Sequence, residues 1–204
     1  GRVHSPLSGT HNVKNAVAAI AICAEGAGLA VSALARQLGG FKGVRRRQEL
    51  VAVAGGVNVY DDFAHHPTAV LETLRGLRAR HESGKLVGLF EPRSATASRK
   101  LHQDAYLSAF EAADLAVLAP VGRKEIASEE RLDVKALAEG MRARGLRAEA
   151  PEDHEQILSL LLSELAPGDT VVVMSNGDFQ GILERLVAAL TVRAAEQISA
   201  GQGP

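Results

Sequence analysis

From about residue 44 onward, short apolar runs alternate with stretches whose apolar residues recur at helical spacing, and this rhythm leaves few architectures open to the chain. The runs "LVAVA", "VNVYD", "KLVGLF", "LAVLA", "LRAEA" and "DTVVVM" are too short for buried helices and suit strands covered on both faces. Between them the spacing predicts helices from Pro67 to near Gly84, to about Ala113, to about Arg144, over 153–165, and from Phe179 to Leu190. Strands separated by amphipathic helices predict an α/β fold, a Rossmann-like and mostly parallel sheet with helices on both faces. The first two runs are the exception. Only Gly55 and Gly56 separate them, so they read as a hairpin, with Val57, Val59, Asp61 and Phe63 on one face and Asn58, Tyr60 and Asp62 on the other. Pro67 suits the first helical position, His66 the cap before it, and Val70, Leu71, Leu74 and Leu77 the buried stripe.

The first 43 residues follow another pattern: two helices, about 11–25 and 31–38, with no strand for them to cover. Thr10 is a candidate cap, Val13, Val17 and Ile20 share a face, and Asn12 and Asn15 neighbour each other elsewhere on the surface. This is half of a domain, so a boundary is expected between 1–43 and 44–204, with the tail after about 191 fraying. At 204 residues and 46% hydrophobic the chain can bury one good core and part of a second. A net charge of −1 gives no support for nucleic-acid or membrane-surface binding. Cys23 is the lone cysteine, which rules out a disulfide within the chain and favours the cytoplasm, as does the absence of a signal segment or a long apolar run.

In open α/β sheets ligands lie beyond the carboxyl ends of the strands, where loops and helix N-termini supply donors. Four such loops carry chemistry here: "DDFAHHP", "EPRSATASR", "PVGRKE" and "SNGDF". Asp61 and Asp62 suit either ligand hydroxyls or nearby backbone N–H groups. His65 and His66 are adjacent, so their side chains diverge, and no metal-ligand spacing supports them; no metal site is assigned. Arg45, Arg46 and Arg47 read as a solvated charge run or an anion site, while Arg93 ends an apolar strand and is well placed to fork onto a carboxylate or phosphate. Small residues at Ser175 to Gly177 let an anion approach backbone N–H groups. No G-x-G-x-x-G follows an early strand, which disfavours a nicotinamide-dependent oxidoreductase, and "SGKL" is not a phosphate loop.

Taken in order and spacing, "GTHNVKNAVAA", "GVRRRQE", "YDDFAHHPTAV", "FEPRSATASRK" and "SNGDFQGI" resemble the Mur ligases, ATP-dependent amide ligases of peptidoglycan precursors. The resemblance spans about 9–190 and implies that residues 1–43 are the end of a central ATP-binding domain and 44–204 the C-terminal domain. It implies ATP as co-substrate and Mg2+ held by residues outside this chain. It also implies UDP-N-acetylmuramate as donor, and as partner the remaining domains of the same ligase. "EPRS" and "SNG" favour the family branch that accepts the L-Ala-γ-D-Glu-meso-Dap tripeptide over the branch that accepts free alanine. A non-catalytic nucleotide- or peptide-binding module is the other alternative. Carried over by residue, Asn15, supported by His11 and Asn12, matches the adenine-reading position, and Arg47 the arginine that reaches the ATP phosphates. Asp62, with Asp61 as the other register, matches the ribose carboxylate. Phe63 and His65 match positions facing nucleotide and incoming amine, while Arg93, Ser175 and Asn176 would grip acceptor carboxylates. No catalytic residue is assigned, and the chain by itself is expected to be inactive.

Overall fold

The computed structural model describes residues 9–123 and 125–201. Two helices come first, α1 (Thr10–Ala27) and α2 (Val31–Leu38), followed by a hairpin of β1 (Glu49–Ala54) and β2 (Val57–Asp62). Gly55 and Gly56 turn the hairpin at φ +56° and +76°, left-handed values that suit the twist of antiparallel strands. The rest alternates: α3 (Pro67–Arg80), β3 (Leu86–Phe90), α4 (Gln103–Ala109), β4 (Leu115–Leu118), α5 (Val134–Ala143), β5 (Arg147–Glu149), α6 (His154–Glu164), β6 (Thr170–Met174) and α7 (Ile182–Gly201).

The six strands lie in the order β1-β2-β6-β3-β4-β5, and every pair except β1·β2 is parallel. The chain moves one way from β2 to β5 by way of α3, α4 and α5, then returns to β6 by way of α6. Right-handed crossovers running in opposite directions put their helices on opposite faces. Strand residues accordingly divide by parity: Tyr60, Phe90, Val172 and Met174 pack toward α3, α4 and α5, while Val59, Leu89, Val117 and Val173 pack toward α6 and α7. Two cores result, one on each face. β6 is inserted between β2 and β3, so the mouths of β2, β6 and β3 lie side by side, and three of the chemically loaded loops meet there.

Several boundaries differ from those expected. Thr10 is the first helical residue and not the cap; Gly9 precedes it at φ +91° with no side-chain cap. α3 stops at Arg80, because His81 leaves helical geometry and its Nε2 lies 2.9 Å from Tyr60 Oη; Gly84 belongs to a separate turn at φ +81°. Within α3, Leu71 is only partly buried. α4 ends at Ala109, short of Ala113, after a 3₁₀ turn at Lys100–His102 that uses up part of the segment. The stretch 191–201, expected to fray, continues α7, and Arg193 ties it to α6 by donating to the Leu162 carbonyl. No residue of α1 or α2 is buried, and Val13, Val17 and Ile22 face solvent.

Candidate functional site at the mouths of β2, β6 and β3

Strand parity sends the last two residues of β2 to opposite sides of the sheet. Asp62, only 2% exposed, turns toward α3, where its Oδ2 accepts from the Gln48 backbone N–H and its Oδ1 from that of Ala64, each at 2.7 Å. Burial raises its pKa, while these two amides, Arg47 and the Thr73 hydroxyl oppose the rise. Asp61 faces the α7 side and accepts from Arg46 Nε at 3.0 Å; burial raises its pKa too, against the lowering pull of Arg46.

On the Asp62 side a cavity of about 540 Å³ opens between α1 and α3. His11, Asn12 and Asn15 line it from α1, Arg47 and Gln48 from the segment before β1, and Asp62 from the end of β2, so all five residues expected to hold nucleotide share one space. The exposed Asn15 amide has no partner among the described residues, and the Arg47 guanidinium rests 5.7 Å above the Phe63 ring without donating a hydrogen bond. His11 Nδ1 lies 3.7 Å from Glu72 Oε2, too far for a hydrogen bond.

On the Asp61 side a cavity of about 420 Å³ is lined by Arg45, Arg46, Asp61, Ser175 and Glu184 among others. Arg46 spans its floor, donating through Nη2 to the carbonyls of Ser175 at 2.8 Å and Gly177 at 2.7 Å as well as to Asp61. It therefore laces the arginine loop to the β6 loop. Nothing in "RRR" marks the middle arginine for this task, and only the alternation of Asp61 with Asp62 could have hinted at it.

The residues expected to hold the acceptor lie outside the larger cavity. Arg93 Nη1 donates to Asp178 Oδ1 at 2.8 Å, both side chains exposed, and a Cβ at Gly177 would collide with that guanidinium. The Ser175 hydroxyl is buried and committed, donating to Glu91 and accepting from the Gly177 N–H at 2.9 Å, so it braces the loop from within. The Asn176 Oδ1 is buried without a hydrogen-bond partner among the described residues. His65 Nδ1 lies 3.0 Å from the Phe63 carbonyl, which makes Nδ1 the protonated nitrogen and leaves Nε2 as an acceptor. Phe63 lies beneath both Arg46 and Arg47, with the His65 ring edge-on at 5.4 Å. His66 caps α3 by accepting from the Thr68 N–H. Among the described residues no group of three or more His, Cys, Asp or Glu side chains is placed to hold a metal ion. No described helix is long and apolar enough to cross a membrane.

The family profile described as "Mur ligase, glutamate ligase domain" matches residues 46–177, which covers the hairpin, β3 to β6 and the loops after β2 and β3, and ends within the loop after β6. The chain belongs to the Mur ligase family. Among curated Mur ligases it is 38% identical to the UDP-N-acetylmuramate--L-alanine ligase of Phenylobacterium zucineum over 174 residues, 85% of this chain and 36% of that one. It is 36% identical to the UDP-N-acetylmuramate--L-alanyl-gamma-D-glutamyl-meso-2,6-diaminoheptandioate ligase of Escherichia coli over 196 residues, 95% of this chain and 40% of that protein. The crystal structure of a murein peptide ligase from Psychrobacter arcticus superposes with a TM-score of 0.69 at 32% identity, covering 93% of this chain and 38% of the other. This chain thus spans about two fifths of the length of the Mur ligases it matches.

Proposed function

We propose that this chain is the C-terminal part of an ATP-dependent ligase that joins UDP-N-acetylmuramate to L-Ala-γ-D-Glu-meso-Dap. The observation that carries the reading is the 540 Å³ cavity, where three polar residues of α1 face Arg47 and Asp62 of the sheet domain. In this reading residues 1–43 end the central ATP-binding domain, and closing it on 44–204 assembles the nucleotide site. Asn15 reads the adenine edge with His11 and Asn12 beside it, Asp62 takes the ribose hydroxyls, and Arg47, whose guanidinium donates no hydrogen bond among the described residues, reaches the phosphates.

The lactyl carboxylate attacks the γ-phosphorus of ATP, giving an acyl phosphate and ADP. The L-alanyl amine then adds to the acyl carbon, and the tetrahedral intermediate collapses to the amide with loss of phosphate and a proton. His65, with Nε2 open as an acceptor, faces the incoming amine. Arg93 exchanges its exposed partner Asp178 for an acceptor carboxylate, and the Asn176 side-chain amide adds to that grip, with Ser175 bracing the loop. Mg2+ is held by residues outside this chain, and closure keeps water from the acyl phosphate. Lacking G-x-x-x-x-G-K-[ST], the 204-residue chain by itself neither hydrolyses ATP nor ligates. Its UDP-linked donor places the work in the cytoplasm.

A second reading, alanine as acceptor, is favoured by the name of the relative from P. zucineum. The loops "EPRS" and "SNG" support the tripeptide instead. Phosphate release by the complete ligase, assayed with each acceptor in turn, separates them. Release with the tripeptide and not with L-alanine is expected; the reverse would make it the alanine ligase, and release with neither would end the ligase reading.

A further inference from the structure

Tyr106 lies on the buried face of α4, sealed from solvent, with its ring 5.0 Å from that of Phe90 and in the same core cluster as Ala64 and Phe110. Phe90 and Phe110 fill these surroundings without a hydroxyl, so packing alone gives no reason for the Tyr106 oxygen. That oxygen has one partner among the described residues: it donates to the His65 carbonyl at 2.6 Å, across 41 positions of sequence. Burial raises the Tyr106 pKa, so the hydroxyl keeps its proton and stays a donor at neutral pH. His65 is held at two points. One is local, Nδ1 against the Phe63 carbonyl at 3.0 Å; the other, from Tyr106, is the one that reaches it from a different element. Tied at its carbonyl and at Nδ1, the residue has its peptide plane and its ring fixed together, and Nε2 is the end left free.

We infer that Tyr106 is a positioning residue for amide formation: its hydroxyl anchors the His65 backbone so that the imidazole Nε2 is set for the incoming amine. This rests on the proposal that His65 faces that amine. As the alanyl nitrogen bonds to the acyl carbon, its surplus proton passes to Nε2, while Nδ1 keeps its own proton on the Phe63 carbonyl. Tyr106 gives and takes no proton. What its hydroxyl contributes is placement, and a proton acceptor displaced from the attacking nitrogen loses rate even when every reacting group is present. The anchor comes from α4, a helix packed in the core, so the imidazole is referenced to the rigid part of the domain and not only to its own loop.

The first measurement is a double-mutant cycle in the complete ligase. Tyr106→Phe keeps the ring and is expected to lower kcat with the tripeptide by about threefold to tenfold, the range for loss of one neutral hydrogen bond, with the KM for ATP unchanged. His65→Ala removes the group being positioned, and adding Tyr106→Phe to it is expected to lower kcat no further. If Tyr106→Phe keeps the parent kcat, or lowers it by the same factor with and without His65, the hydroxyl acts on something other than His65 and the inference is overturned. If His65→Ala by itself keeps the parent kcat, the role of His65 falls and this inference with it, while the ligase reading stands on its acceptor assays. The second measurement keeps the inference falsifiable should Tyr106→Phe misfold. In 1H–15N spectra of the parent 204-residue chain, at a pH above the ordinary imidazole range, the His65 ring is expected as a single tautomer protonated at Nδ1. A ring protonated mainly at Nε2, or divided between the two tautomers, is not held in place and overturns the inference.

Discussion

Asp61 and Asp62 are consecutive, carry the same charge and end the same strand, yet each is held by different means in a different cavity. Asp62 is fixed by two backbone amides in a nearly sealed position, whereas Asp61 is held by the charged side chain of Arg46. Backbone donors cannot rearrange without unmaking the loop, but an arginine can turn elsewhere. The α3 side of β2 is therefore built as a fixed wall, and the α7 side as a laced seam. The largest expected effect follows. Asp62→Ala leaves the Gln48 and Ala64 amides buried without acceptors and costs about 2–4 kcal/mol, read by urea unfolding. A loss below about 1 kcal/mol would mean that water replaces the carboxylate and the wall is not fixed.

The neighbouring arginines sharpen the same contrast. Arg46→Ala removes bonds to Asp61 and two carbonyls and is expected to cost about 1–3 kcal/mol. Arg47→Ala should change stability by no more than about 0.5 kcal/mol, because its guanidinium makes no hydrogen bond to lose. In the complete ligase the ranking inverts: Arg47→Ala lowers turnover at saturating ATP by roughly a hundredfold or more, as expected of an arginine that meets phosphate charge in the transition state. Unchanged turnover would remove Arg47 from that role.

The doubly wound sheet was legible because fully buried parallel strands have no polar alternation; "DTVVVM" and "KLVGLF" could hardly be anything else. The division of Asp61 from Asp62 could also be read, since it needs only the period of a strand. What stayed hidden depends on long-range geometry. Arg46 and Arg47 are indistinguishable in "RRR" until the β6 loop supplies carbonyls to one of them. Gln48 reads as an ordinary polar residue before a strand until α3 closes over it at Gly76. Ser175 reads as a free hydroxyl until the fold brings Glu91 close enough to accept a hydrogen bond from it. The end of α3 was misplaced because the chain leaves helical geometry at His81, where Tyr60 meets the imidazole, three residues before Gly84.

A carboxylate far from the mouths provides a reference for the pH behaviour of both aspartates. Hydrogen bonds from Arg147 and Lys85 hold the Glu164 pKa at about 2, below its ordinary 4.5. The stabilisation it contributes is complete above about pH 4.5, the unfolded value, and disappears as the pH falls toward 2. Asp61 and Asp62 have raised pKa values and behave oppositely: stability is gained as the pH falls through those values toward 3.8. Glu164→Gln should then remove part of the acid loss below about pH 4.5 while costing about 1–2 kcal/mol at neutral pH, a figure reduced for solvent screening. An unaltered acid limb in thermal melts from pH 6 to 2.5 would mean that the ion pairs of Glu164 are not held in solution.

Asp61→Asn is expected to have the smallest effect and bears most directly on the proposal that Asp62 takes the ribose. An asparagine still offers Arg46 an oxygen, and Arg46 keeps its bonds to the Ser175 and Gly177 carbonyls, so the loss should stay near or below about 1 kcal/mol. In the complete ligase Asp61→Asn should leave the KM for ATP within about twofold, because its side chain lines the cavity on the other face of the sheet. Asp62→Asn should raise that KM severalfold, since one amide face must turn its NH2 toward the Gln48 or Ala64 N–H and disturb the cavity wall. Should the two variants exchange these effects, the nucleotide belongs on the α7 side, and Arg45 and Glu184, which have no partners among the described residues, become the groups to test for contact with it.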